Sequence, residues 1–151
     1  MTMITKLKYV GTPVYDLLDI YNLYIRSLLE YCCVVWHSTL TLQQSTDIEN
    51  VQKLCLKIIL GSEYISYENA LEFCQLERLN IRREARCLKF GLKSLLHPQH
   101  CQLFPVNPQV NSDIPNRDHF HVNWARTESY KMSTVPYIQR LLNKHVRSQR
   151  K

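Results

Sequence analysis

The sequence predicts an all-α fold, and three observations predict it. Apolar residues recur at helical spacing over three long stretches and one short one. Capping residues and prolines bracket those stretches. Only three glycines occur in 151 residues, too few for a many-turned all-β architecture. The expected arrangement is a helical bundle of three long helices plus a short one, followed by a Pro/Asn-rich loop and a C-terminal helix.

Thr12-Pro13 reads as the first helix start, an N-cap oxygen followed by a proline whose missing N–H costs nothing there. Val14, Leu17, Leu18, Tyr21, Ile25, Leu28, Leu29, Cys32, Val35 and Trp36 then follow at helical spacing, predicting one long amphipathic helix from Pro13 to Trp36. Thr41 to Gln44 has the form of a capping box, with Ile48, Val51, Cys55, Ile58 and Ile59 on the core face and Gly61 as the stop. Ser66 can cap a short helix through Leu71. A third long helix is expected from about Arg78 to Leu96, burying Ile81, Ala85, Leu88, Leu92 and Leu95 and closed by Pro98.

The expected domain layout is a bundle over 1–104 and a loop or linker over 105–133. Within that linker, 119–124 alternates polar and apolar residues in the manner of a short strand. The rest, 134–151, reads as a C-terminal helix starting at Thr134 and a frayed basic tail from His145.

Net charge is +6, and its distribution matters more than its size. Residues 1–77 carry five basic and nine acidic side chains, whereas 78–93 carry six basic and one acidic. Up to Asn116 the charges cancel, so the whole excess lies in the last 35 residues. Basic segments of this kind suit an anionic partner such as nucleic acid, or simply form a solvated face. No apolar run reaches transmembrane length and no secretory signal is legible, so an intracellular, non-secreted protein without membrane contact is expected. Six cysteines in that setting read as free, mostly buried thiols.

Catalytic chemistry finds no footing. There is no Gly-x-Ser-x-Gly, and Cys32 or Cys33 with His37 has only proximity in its favour. Two-metal phosphoryl transfer needs close carboxylates, but no Asp-Asp occurs. Asp16, Asp19, Asp47 and Glu49 read as solvated charges. His97, His100, Cys101, His119 and His121 have short paired spacings of the kind zinc uses, yet no Cys-x-x-Cys accompanies them. The expectation is no cofactor, no metal and no catalytic residue. Nucleic-acid contact fits better. Arg78, Arg82, Arg86, Lys89 and Lys93 form one stripe along the third helix, with Arg83 beside it, and such a row can track phosphates without reading bases. Arg126, Lys131 and Arg140, interleaved with Tyr130 and Tyr137, extend the candidate set.

Several strings carry a family resemblance. Ile20-Tyr21, Ile25 to Tyr31 and Val35-Trp36 come first, then Ile48 to Lys53 and Lys57 to Gly61, then Ser66 to Leu71. Leu76 to Leu79, Arg82-Arg83 and Phe90 follow, and Ser133 to Asn143 closes the series. In this order they resemble the region after the polymerase core in reverse transcriptases of non-LTR retrotransposons, closest to the jockey group, from about Lys8 to Lys144. The resemblance implies a transposable-element parent, an RNA-directed DNA polymerase, of which this chain would be the end of the thumb and the C-terminal segment. The parent's aromatic-x-Asp-Asp motif, which would hold magnesium, has no counterpart here. Implied partners are RNA or an RNA–DNA hybrid and the missing polymerase domains. Self-association through an uncovered helix face is a further expectation.

Overall fold

The computed structural model describes residues 2–108, 118–122 and 124–149. It is all-α, with no strand among the described residues. In chain order the helices are α1 (Thr2–Tyr9), α2 (Val14–Ile20), a π-helical turn (Tyr21–Arg26), α3 (Ser27–Leu29), α4 (Cys33–Trp36), α5 (Leu42–Leu60), α6 (Tyr67–Phe73), α7 (Leu79–Leu95), α8 (Glu128–Lys131) and α9 (Thr134–Gln149). The chain forms two compact units. One comprises Met1–Cys32 and Leu40–Arg83, the other Cys33–Thr39 and Glu84–Lys151. The units therefore divide within α7.

In the first unit α5 is the spine, because it is apolar on two faces. Cys55 and Ile59 pack with Ile4 of α1 and with Leu17 and Tyr21. Leu56 and Leu60 pack with Tyr67, Ala70 and Leu71 of α6. The expected capping box is present: Thr41 Oγ1 accepts from the Gln44 N–H, and Gln44 Oε1 accepts from the Thr41 N–H. Gly61 ends α5 with φ 58°, a left-handed conformation open to glycine. Ser66 caps α6 through the Asn69 N–H. The N-terminal helix α1 has no cap or proline to announce it; its place follows from the burial of Ile4.

The single helix expected from Pro13 to Trp36 is corrected. A π-turn spans Tyr21–Arg26, so side chains beyond it lag behind the α-helical register. Ser27 Oγ donates to the Leu23 and Tyr24 carbonyls at the end of this turn. The lag turns Leu28 outward, 76% exposed, while Glu30 takes an inward position. Helical hydrogen bonding then stops, and Cys32 adopts φ 49°, the left-handed geometry that terminates helices. Cys32 and Val35, expected in the core, are exposed.

The face of α7 is also corrected. The buried positions are Leu79, Arg83, Cys87, Gly91 and Ser94, not Ile81, Ala85 and Leu92, which are exposed. From Glu84 onward, small residues decide this. Gly91 faces Ile138 and Leu142 of α9 so closely that an added Cβ would lie 2.6 Å from Ile138 Cγ2. The smooth side of α7 is thus the one that α9 can approach, although it is the less apolar one. Leu88 and Leu95, at its border, are partly buried.

The second unit packs Cys87, Phe104, Phe120, Ile138, Leu141 and Leu142. Phe104 and Phe120 both enter this core. The strand expected over 119–124 reduces, among its described residues, to one antiparallel bridge between Val106 and Phe120. The reason is local. The Phe120 N–H donates to Asn143 Oδ1 at 2.8 Å, and Asn143 Nδ2 donates to the Phe120 carbonyl at 3.0 Å. A side-chain amide of α9 thus takes the place of a strand neighbour. Position 123 and residues 109–117 of the expected loop lie outside the described residues. The tail expected to fray from His145 is instead helical to Gln149.

Candidate nucleic-acid interface

The candidate interface rests on α7, whose start is fixed by a buried polar chain in the first unit. Tyr21 Oη donates to Gln52 Oε1 at 2.6 Å, and Gln52 Nε2 donates to Tyr67 Oη at 2.8 Å and to the Glu77 carbonyl at 3.1 Å. Tyr67 Oη donates in turn to Glu49. The Glu49 carboxylate accepts from the Leu79 N–H with both oxygens, at 3.2 and 3.1 Å. A carboxylate there offsets the positive end of the helix dipole. Glu49, read from sequence as a solvated charge, is therefore a positioning group. Burial raises the Tyr67 phenol first of all, and the Glu49 hydrogen bond and charge add to it. Burial raises Tyr21 in the same direction.

The cations of α7 divide into two sets. Arg82 Nε donates to Glu30 at 2.8 Å and Nη1 lies 4.0 Å from Glu77. The Glu30 hydrogen bond holds the Arg82 guanidinium above its ordinary value. Arg83 is fully buried and its Nη2 donates to Ser45 Oγ at 3.1 Å. Arg78 pairs with Glu68 at 2.6 Å and lies 5.8 Å over the Tyr67 ring, which Lys53 flanks at 5.9 Å. Arg82 and Arg83 are thus held by groups of the first unit. Arg86, Lys89 and Lys93 are exposed, at i, i+3 and i+7 on one side of α7.

The remaining candidates lie in the second unit. Lys131 pairs with Glu128 at 3.1 Å, and Arg140 Nη2 donates to the Lys131 carbonyl at 2.6 Å. Arg126 and Tyr130 are exposed. Tyr137 is half-buried with the His37 ring edge-on at 5.7 Å. Burial, then the nearby charges of Glu84 and Cys87, pushes its phenol up to about 12. His37 is therefore turned to Tyr137, and Cys33, its sequence-suggested companion, is buried. Burial raises the thiols of Cys55 and Cys74, opposite to what a nucleophile requires.

His97 and His100 stack on each other at 4.2 Å, and His119 meets Phe120 edge-on. Among the described residues no group of three or more His, Cys, Asp or Glu side chains is placed to hold a metal. No described helix is long and apolar enough to cross a membrane.

One surface was not legible as a site. The π-turn and α3, with Val51 of α5, form an open apolar groove of about 670 Å³ lined by Leu23, Tyr24, Leu28 and Tyr31 among others. Those four side chains are all at least 65% exposed. Periodicity assigned Leu28 to the core, so the groove could have been found only from the change of register. No family model, curated protein or solved structure matches the chain.

Proposed function

We propose that this chain is a non-catalytic helical piece of a non-LTR retrotransposon reverse transcriptase, contributing a packing surface and no chemistry. The ordered strings from Lys8 to Lys144 supply the family in this reading. The observation that carries the role is the uncovered apolar groove along Leu23, Tyr24, Leu28 and Tyr31. An apolar patch of contiguous large side chains marks a surface meant to be covered. In the parent enzyme the cover would be another part of the polymerase. The catalytic carboxylates and their magnesium would belong to that part. The test is dye binding: the chain should enhance the fluorescence of a hydrophobic-surface dye, and Leu28→Glu should remove most of the enhancement while leaving the helical circular dichroism intact. A wild-type chain that binds no dye overturns the reading.

A second reading rests on the exposed Arg86, Lys89 and Lys93. This row supports sequence-independent contact with RNA or an RNA–DNA hybrid. Affinity should fall steeply with salt, and three phosphate contacts would give a log–log slope of about −2 to −3. Binding that is absent at low salt, or indifferent to salt, would rule it out.

A further inference from the structure

We infer that, where no other part of a polymerase covers it, the apolar groove takes up a second copy of this chain, presenting the outer face of its α7. The inference rests on the packing-surface reading and names its partner. Two faces of the same chain are complementary. Around the groove, Asp19 stands one turn before Leu23, Asp47 stands one turn before Val51, and both are exposed. Arg26 is the one cation between Val14 and Tyr31, and it is half-buried. The groove is therefore an apolar floor with carboxylates at its border.

The outer side of α7 is its counterpart. Ala85 and Leu92, together with Leu96 just past the helix end, form an exposed apolar strip. Along one edge of that strip run Lys89, Lys93 and Arg86, also exposed. The strip exists because α7 turns its small-residue face inward, as Gly91 against Ile138 requires. Its length from Ala85 to Leu96 is about 17 Å at helical rise, and the segment from Asp19 to Tyr31 has a similar length. Apolar meets apolar, and lysines meet aspartates. Because the two faces differ, the contact is heterologous: each copy offers a groove and a strip, and association can continue beyond two chains.

Sedimentation velocity of the full chain tests this across protein concentration and salt. The average mass should rise with concentration and fall as salt is raised. Lys89→Glu/Lys93→Glu should weaken association by about tenfold or more, and so should Asp19→Lys/Asp47→Lys. Mixing the two charge-reversed chains should restore it, because the acidic strip of one then faces the basic groove of the other. The milder Lys89→Gln/Lys93→Gln chain, checked for helical content, should lie between wild type and full reversal. Failure of restoration on mixing, or association unmoved by reversal on α7, overturns the proposed pairing. A chain that stays monomeric at every concentration yet still binds dye through Leu28 overturns this inference alone. A monomer that binds no dye overturns the packing-surface reading as well.

Discussion

Arg82 Nε donates a 2.8 Å hydrogen bond to the carboxylate of Glu30, a group 1% exposed and 52 residues away in the chain. The pair locks the end of the first helical segment to the start of α7 inside one unit, and it does so because the π-turn has rotated Glu30 inward. Removing one partner of a buried pair leaves the other desolvated, whereas removing both is far milder. Arg82 retains about a quarter of its side-chain exposure, which softens the penalty. Glu30→Leu should therefore cost about 2–4 kcal/mol of unfolding free energy in denaturant titration, and Glu30→Leu/Arg82→Leu clearly less than the two single changes together. Additive losses would show that the pair carries no coupling.

Gly91→Ala sets two effects against each other. Alanine is favoured over glycine in a helix interior by about 1 kcal/mol. The new Cβ would meet Ile138 Cγ2 at 2.6 Å and Leu142 at 3.4 Å, and β-branched Ile138 has few rotamers in which to retreat. Overpacking wins, and a net loss of about 1–3 kcal/mol is expected. Gly91→Ala/Ile138→Ala should lose less than the sum of its parts in thermal melts. A stabilised Gly91→Ala chain would place α7 and α9 farther apart than described.

Asn143→Asp keeps size and acceptor but loses the amide N–H that serves the Phe120 carbonyl. The buried carbonyl is then left opposite a carboxylate, at a cost of about 1–3 kcal/mol. Limited proteolysis should reveal the change as faster cleavage around 118–122, with α9 still helical. Equal cleavage rates in both chains would remove Asn143 from its anchoring role.

Alkaline stability follows from the three raised phenols. Tyr21, Tyr67 and Tyr137 all have folded-state values above the ordinary 10, Tyr137 at about 12. A raised tyrosine is neutral when folded but ionises in the unfolded chain once pH passes about 10, so the unfolded state then binds fewer protons. Their contribution is complete below about pH 10 and is lost as pH climbs through the folded values. Ultraviolet titration should show a tyrosinate component appearing together with the loss of helical ellipticity. Tyr137→Phe should flatten the fall in stability between about pH 10 and 12 relative to wild type.

Local chemistry made much of this fold readable in advance. The Thr41–Gln44 box, the Ser66 cap and the Gly61 stop each act through neighbours within a few residues, so they appear in sequence as they do in space. The same holds for the all-α class, which needs only periodicity and few glycines. The stripe of α7 cations was also legible as a stripe, but not the use to which each cation is put. Arg83 and Arg86 are alike on paper. One is buried beside Ser45 and the other faces solvent, a difference set by what lies opposite each in space and not by the spacing of the stripe.

By itself the sequence determined the all-α class, the long helices α5, α7 and α9, and local ends such as Thr41, Gly61 and Ser66. Tertiary structure alone decided which helix faces became interior. A π-turn moved Glu30 inward and Leu28 outward, and Gly91 let α9 close on one side of α7 while Leu92 faced solvent. Helical periodicity marks a face as apolar, but close packing selects the face that fits a neighbour. That neighbour lies far away in the chain.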